Sequence, residues 1–224
     1  MFNPIDFILH IDEHLKTLVA TYGTWTYVIL FAIIFCETGL VIMPFLPGDS
    51  LLFAAGAIAA NPESGLNIGY LIGLLIIAGV LGDTVNYHIG RYLGPRVLAG
   101  KFSRWINLKH LAATEAFFEK HGGKTIILAR FLPFVRTFAP FVAGVGNMNY
   151  PRFLAFNVIG AIVWVVSFVM LGFFFGKIPI VEERFSLVVL GIIAISILPA
   201  IYEFVRHRFA KPEKKSDENG ATAS

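Results

Sequence analysis

The sequence predicts an all-α polytopic membrane protein, and three observations predict it. Hydrophobic residues make up 56% of the 224 and charged residues only 15%, with a mean hydropathy of +0.72. A soluble domain carries roughly 25% charged residues and needs them to cover its surface, so a water-soluble enzyme is excluded, as is disorder over most of the chain. The charges are also segregated: long uncharged stretches alternate with basic ones. Finally, two of the apolar stretches are broken by Pro and Gly next to lone charged residues, which suits half-helices better than straight spans. Together these predict four spanning helices plus two opposed, Pro/Gly-broken re-entrant hairpins, with amphipathic helices at the interface.

The elements follow in order. Residues 1–16 mix apolar residues with Asp6, His10, Asp12, Glu13 and His14. They read as an interfacial amphipathic helix, not a signal peptide, because a basic n-region is missing. Residues 18–36 are 19 uncharged residues and form the first span. Residues 38–60 are apolar but interrupted at Pro44, Pro47 and Gly48, and form the first hairpin. After the polar loop 61–67, residues 66–90 are a span with Asp83 as its only charge. Residues 91–124 form a basic loop with an amphipathic helix near 108–120. Residues 125–149, interrupted at Pro133 and Pro140, form the second hairpin. Residues 153–176, 24 residues without a charge, and 186–205 are the last spans. One membrane domain thus covers residues 1–208, and 209–224 form a disordered basic and polar tail.

The bases set the orientation. The segment 91–124 holds seven Lys/Arg against two acids, and 206–215 holds five against one. Both belong in the cytoplasm, where contact with anionic lipid explains them better than nucleic acid does. Both termini are then cytoplasmic, and the hairpins dip in from opposite sides. The hairpins also echo each other: Phe45-Leu46-Pro47 with Phe53 to Gly56 in the first, Phe131-Leu132-Pro133 with Phe141 to Gly144 in the second. Inverted repeats with broken helices near the midplane are a transporter architecture.

Four charges need an account. A charged residue at the bilayer centre costs about 2.5–3.5 kcal/mol on insertion scales. Glu37 and Asp49 flank the first hairpin, and Arg130 and Arg136 lie in the second. If the hairpins face each other, two acids and two bases can share one hydrated cavity. Arginine keeps its charge and matches phosphate with a planar fork, so Arg130 and Arg136 are the candidate phosphate-binding residues. Pro133 between them lets both converge on one group. Glu37 and Asp49 are candidate proton carriers that pair with the arginines when no substrate is bound. Asp83, Asn86 and Tyr87, in GDTVNYHIGR, could line the same cavity or form an interhelical network.

Other signals fail. The stretch His121 to Thr125 resembles the end of a phosphate-binding loop, but Phe118 stands where glycine is needed. The lone Cys36 forms no internal disulfide, and no Cys/His cluster has metal spacing. No cofactor, metal or nucleophile is expected. The GxxxG pairs at Gly69, Gly90 and Gly172 point to close helix packing and leave a homo-oligomer open.

Three motifs carry a specific resemblance: FCETGLVIMPFLPGDSLLFAAG (35–56), GDTVNYHIGR (82–91) and EKHGGKTIILARFLPFVRTFAPFVAG (119–144). With them the chain resembles, over residues 5–208, the bacterial DedA family, whose domain is also called SNARE-associated or VTT. The resemblance implies a multi-pass protein of the bacterial inner membrane that moves membrane lipid. The substrates it implies are undecaprenyl phosphate, the lipid carrier of cell-wall synthesis, or phospholipid, with proton dependence. It also implies that Glu37, Asp49, Arg130 and Arg136 are needed for activity.

The leading expectation is a proton-coupled flippase of an anionic lipid carrier and not an enzyme. Its rivals are a proton-coupled antiporter of small ions or drugs, a broad phospholipid scramblase, and a non-transporting scaffold.

Overall fold

The computed structural model describes residues 17, 19, 21–40, 48–99, 123–176, 178, 188 and 191, most of them in helices. The helices are α1 (Trp25–Gly39), α2 (Gly48–Ala59), α3 (Ile68–Ala99), α4 (Lys124–Ala129), α5 (Pro133–Val145) and α6 (Tyr150–Phe175).

Local chemistry sets the boundaries. Asn61 opens a 3₁₀ turn (Pro62–Ser64) by accepting a hydrogen bond from the Glu63 amide, and Gly65, at φ 67°, closes it. Asn67 caps α3 by accepting from the amides of Gly69 and Tyr70. The Asn67 amide donates to the Tyr27 hydroxyl at 2.6 Å, tying α1 to the start of α3. Asn149 caps α6 in the same way through the Arg152 amide. Between α4 and α5 the chain breaks at Leu132, which is extended (φ −113°, ψ 104°) and precedes Pro133 at the first turn of α5. A residue before proline is pushed out of helical geometry, and proline itself suits a helix start.

Among the described residues, two helices are long and apolar enough to cross a membrane: residues Ile68–Gly94 of α3 and Tyr150–Phe175, all of α6. The outer face of α3 exposes Tyr70, Ile77, Leu81, Val85 and Tyr92 along one stripe. The two tyrosines are 22 residues apart, about 33 Å at 1.5 Å per residue, close to the ~30 Å of a hydrocarbon core. Aromatic rings at both ends of an exposed apolar stripe are what two membrane interfaces select.

Packing follows a twofold plan. Helices α3 and α6 touch each other at the centre. Helix α3 carries α1 and α5 on its flanks, and α6 carries α2 and α4. The halves α1–α3 and α4–α6 therefore exchange their middle helices. The crossings match in detail. A Cβ on Gly56 would strike the Val169 carbonyl, and one on Gly172 the Phe53 carbonyl; a Cβ on Gly144 would strike the Tyr87 carbonyl, and one on Gly90 the Phe141 carbonyl. Phe53 and Gly56 stand to Val169 and Gly172 as Phe141 and Gly144 stand to Tyr87 and Gly90. The echo expected from the sequence thus has a physical basis in two equivalent backbone-to-backbone contacts.

Several expectations need correction. The basic segment after Gly90 does not begin as a loop, because α3 continues to Ala99. The helix outlasts its apolar stretch, since Arg and Tyr at the interface suit a helix as well as a loop does. The span expected at 18–36 is interrupted at Gly23, which takes φ 49° and ends in a turn before α1. Pro140 is not a break but lies inside α5. It forfeits one helical hydrogen bond, and the helix continues past it to Val145 with Ala139 and Ala143 buried on either side. Pro44 and Pro47, the helix near 108–120, the N-terminal helix 1–16, and the span 186–205 apart from Val188 and Gly191 lie outside the described residues.

Candidate functional site

The charges concentrate where the two long helices meet. Along α3, Leu71, Leu75 and Ala78 belong to one apolar cluster and Tyr87 to a second, with Asp83 and Asn86 between them. Along α6, Phe153 belongs to the second cluster and Trp164 to the first, with Asn157 between. The charged layer is therefore enclosed by apolar packing above and below. Each helix supplies a residue to it or next to it.

Arg136, in the first turns of α5, is buried and bridges two carboxylates. Its Nη1 donates to Asp49 Oδ1 at 2.5 Å, and its Nη2 donates to Glu37 Oε1. Glu37 lies in the last turn of α1 and Asp49 in the first turn of α2, so one guanidinium clamps the end of α1 to the start of α2. Gly48 makes the approach feasible. Its amide donates to Glu37 Oε1 at 3.1 Å, and a Cβ there would collide with the Glu37 carboxylate.

Arg130, in the break after α4, takes a different partner. Its Nη2 donates to Asp83 Oδ2 at 2.6 Å, to Asn157 Oδ1 at 2.5 Å and to the Gly79 carbonyl at 3.4 Å. Its stem runs past Gly160, where a Cβ would come within 3.0 Å of Arg130 Cδ. Asn157 is oriented by its own Nδ2, which donates to the Val80 carbonyl at 3.1 Å.

Trp164 joins the two arrangements. The Arg130 and Arg136 guanidinium carbons lie 5.7 and 5.2 Å from the centre of its ring, inside cation–π range. Its Nε1 donates to Asp49 Oδ1 at 2.8 Å. The centre thus holds three carboxylates and two guanidiniums, which leaves one negative charge in excess when all are ionised. Glu37 Oε2, Asn86 Oδ1, Ser50 Oγ and the Nε atoms of both arginines are buried with no protein partner among the described residues. The site therefore keeps unused donors on both guanidiniums, beside carboxylates able to exchange partners.

The four charges singled out in the sequence do not share one cavity on equal terms. Glu37, Asp49 and Arg136 come together; Arg130 pairs with Asp83, which the sequence offered as cavity lining or as part of an interhelical network. Asn86 ties three helices, its Nδ2 donating to the carbonyls of Thr38 at 3.2 Å and Thr137 at 2.7 Å. Tyr87 is a correction. Its hydroxyl donates to the Met148 carbonyl and its ring stacks on Phe153 at 4.4 Å, inside the second apolar cluster. Sequence reasoning passed over Asn157 and Trp164, which are uncharged within an apolar span. The available signal was their spacing: Asn157, Gly160, Ala161 and Trp164 form one helical stripe of polar, small and aromatic residues.

Comparison with known proteins places these residues in a family context. The model of the VTT domain matches residues 46–174. Protein DedA of Escherichia coli K12 is 56% identical over 206 residues, covering 92% of this chain and 94% of that protein. An uncharacterised membrane protein of Mycobacterium tuberculosis H37Rv is 42% identical over 186 residues, covering 83% of this chain and 82% of that one. The inner membrane protein YqjA of E. coli K12 is 36% identical over 154 residues, 69% of each chain. No solved structure matches the chain.

Proposed function

The chain belongs to the VTT-domain (DedA) family of membrane proteins, and from that premise we propose that it is a flippase for an anionic lipid carrier, with undecaprenyl phosphate as the preferred substrate and protons as the coupling ion. The observation that carries this reading is Arg136, a buried guanidinium held by two carboxylates from different helices and sharing Trp164 with a second guanidinium. A phosphate headgroup matches the arginine fork. It would displace the carboxylates, which then take up protons or find other donors. Arg130 adds the second positive charge to the headgroup's surroundings.

The lipid tail needs a way to remain in the bilayer while the head is buried. The break and the start of α5 supply one. Leu128, Phe131, Leu132, Val135 and Phe138 are exposed, while Arg130 and Arg136, interleaved with them, are buried. Headgroup and tail could therefore straddle this surface.

In the same reading the protein sits in the bacterial inner membrane with four crossings. Residues 38–60 and 125–149 act as inverted re-entrant hairpins, and both termini face the cytoplasm. The two equivalent glycine crossings support this arrangement. The charge excess of the centre also favours a second reading, a proton-coupled antiporter of small ions or drugs.

The test is Arg136→Lys in proteoliposomes. It keeps a positive charge and removes the fork, so polyprenyl phosphate flipping should fall by about tenfold or more, the scale of one charge-assisted hydrogen bond, with the protein still folded. Unchanged flipping would refute the phosphate role. Proton-linked transport that polyprenyl phosphate does not compete with would favour the antiporter.

A further inference from the structure

The two arginines have partners of different kinds. Each oxygen that Arg136 engages already has a second donor. Asp49 Oδ1 also accepts from Trp164 Nε1 at 2.8 Å, and Glu37 Oε1 also accepts from the Gly48 amide at 3.1 Å. Asp83 differs: among the described residues it accepts from Arg130 alone. Removing a partner from a buried charge costs most when nothing else satisfies it. Arg136 can leave without orphaning either carboxylate; Arg130 cannot leave Asp83.

We infer that the Trp164 indole N–H and the Gly48 amide are holding donors, which keep Asp49 and Glu37 hydrogen-bonded while Arg136 swings to an anionic headgroup, so that Arg136 is the exchangeable arginine and Arg130 the fixed one. This rests on the lipid-phosphate reading above and assigns its moving part. Trp164 is then a positioning residue. Its N–H stabilises the state in which Asp49 has lost its guanidinium, and its ring keeps a surface for both cations. The charged groups facing Asp49 are Arg136 from α5 and Glu37 from α1, with Asp83 of α3 and Arg130 after α4 next in line. Helix α6 adds none, since its one charged residue, Arg152, is exposed at its N-terminal end.

The test is binding of farnesyl phosphate, a short polyprenyl monophosphate, to the full chain in detergent by calorimetry. Trp164→Phe keeps an aromatic ring and removes the N–H. It should weaken binding by about tenfold, the worth of one charge-assisted hydrogen bond. Replacing Trp164 with benzothienylalanine, which has the indole shape without the N–H, should do the same and guards against a packing defect in the phenylalanine variant. No loss in either variant, or loss in the phenylalanine variant alone, overturns the holding-donor role while leaving the lipid reading intact. Failure of the unmodified protein to bind the probe overturns both.

Discussion

Arg136 and Asp49 stand 87 positions apart in the chain and meet at 2.5 Å in the buried centre. Each belongs to a short helix that packs on the long helix of the other half: α5 on α3, and α2 on α6. The ion pair therefore joins the two exchanged helices, and its opening would loosen both halves together. Arg136→Ala should cost less than loss of Arg130, about 1–3 kcal/mol, because the two buried carboxylates lose their counter-charge but keep the Trp164 and Gly48 donors. The triple variant Arg136→Ala, Glu37→Gln, Asp49→Asn should recover most of that stability and none of the transport. Thermal unfolding in detergent beside flipping in proteoliposomes checks both; a triple variant no more stable than the single one would contradict the charge argument.

Arg130 and Asp83 should behave as a closed pair. Either Arg130→Ala or Asp83→Ala alone should destabilise by about 3–5 kcal/mol, whereas Arg130→Met with Asp83→Leu should lie within about 1–2 kcal/mol of the unmodified protein. A double variant as unstable as the singles would mean that the pair does more than neutralise itself.

The reasons some of this was legible in the sequence are physical. Glu37, Asp49, Arg130 and Arg136 stand out because a lone charge in an apolar stretch is costly and must have a partner. Which partner each takes was not legible, since pairing depends on how α2 and α5 exchange places. That exchange turns on backbone contacts at glycines, which carry no side chain to read. Trp164 and Asn157 stayed hidden because neutral residues cost little in an apolar span. Pro140 misled because proline marks a break only where packing does not compensate its lost hydrogen bond. Pro133 and Asn149 sit at helix starts, as proline and asparagine commonly do.

The twin crossings make a paired prediction. Gly56→Ala and Gly144→Ala each place a methyl against a backbone carbonyl, of Val169 and Tyr87. Each should lower stability by about 1–3 kcal/mol, as overpacking does. Gly73, inside α3 with open space around a would-be Cβ, provides the opposite case: Gly73→Ala should stabilise by about 0.5–1 kcal/mol through helix propensity. Melting curves of the three variants decide it; a destabilised Gly73→Ala would show that residue to be packed.

The exposed stripe on α3 predicts membrane depth. In a Cys36→Ser background, a nitroxide on Leu81→Cys should be reached by oxygen and shielded from a water-soluble relaxation agent. Labels on Tyr70→Cys and Tyr92→Cys should show the reverse balance. These two positions are about 33 Å apart along the helix, and the deepest point should fall between them, near Asp83. A water-exposed label at 81 would overturn α3 as a span.

Headgroup binding should take up protons. With Arg136 committed to a phosphate, Glu37 and Asp49 would sit as buried carboxylates close to a third negative charge. Like charges at such range are penalised strongly where water is scarce, and the centre already carries one negative charge more than its two guanidiniums balance. The holding donors at Trp164 and Gly48 ease the release of Arg136 but do not cancel that repulsion. Protons do. Adding farnesyl phosphate to the protein in weakly buffered detergent near neutral pH should therefore make the solution more alkaline after the lipid's own titration is subtracted. Glu37→Gln with Asp49→Asn should abolish the uptake and leave binding, because the neutral side chains need no proton to coexist with phosphate. Binding without any proton uptake in the unmodified protein would break the link between headgroup and protons, and transport would then have to run on the lipid gradient alone.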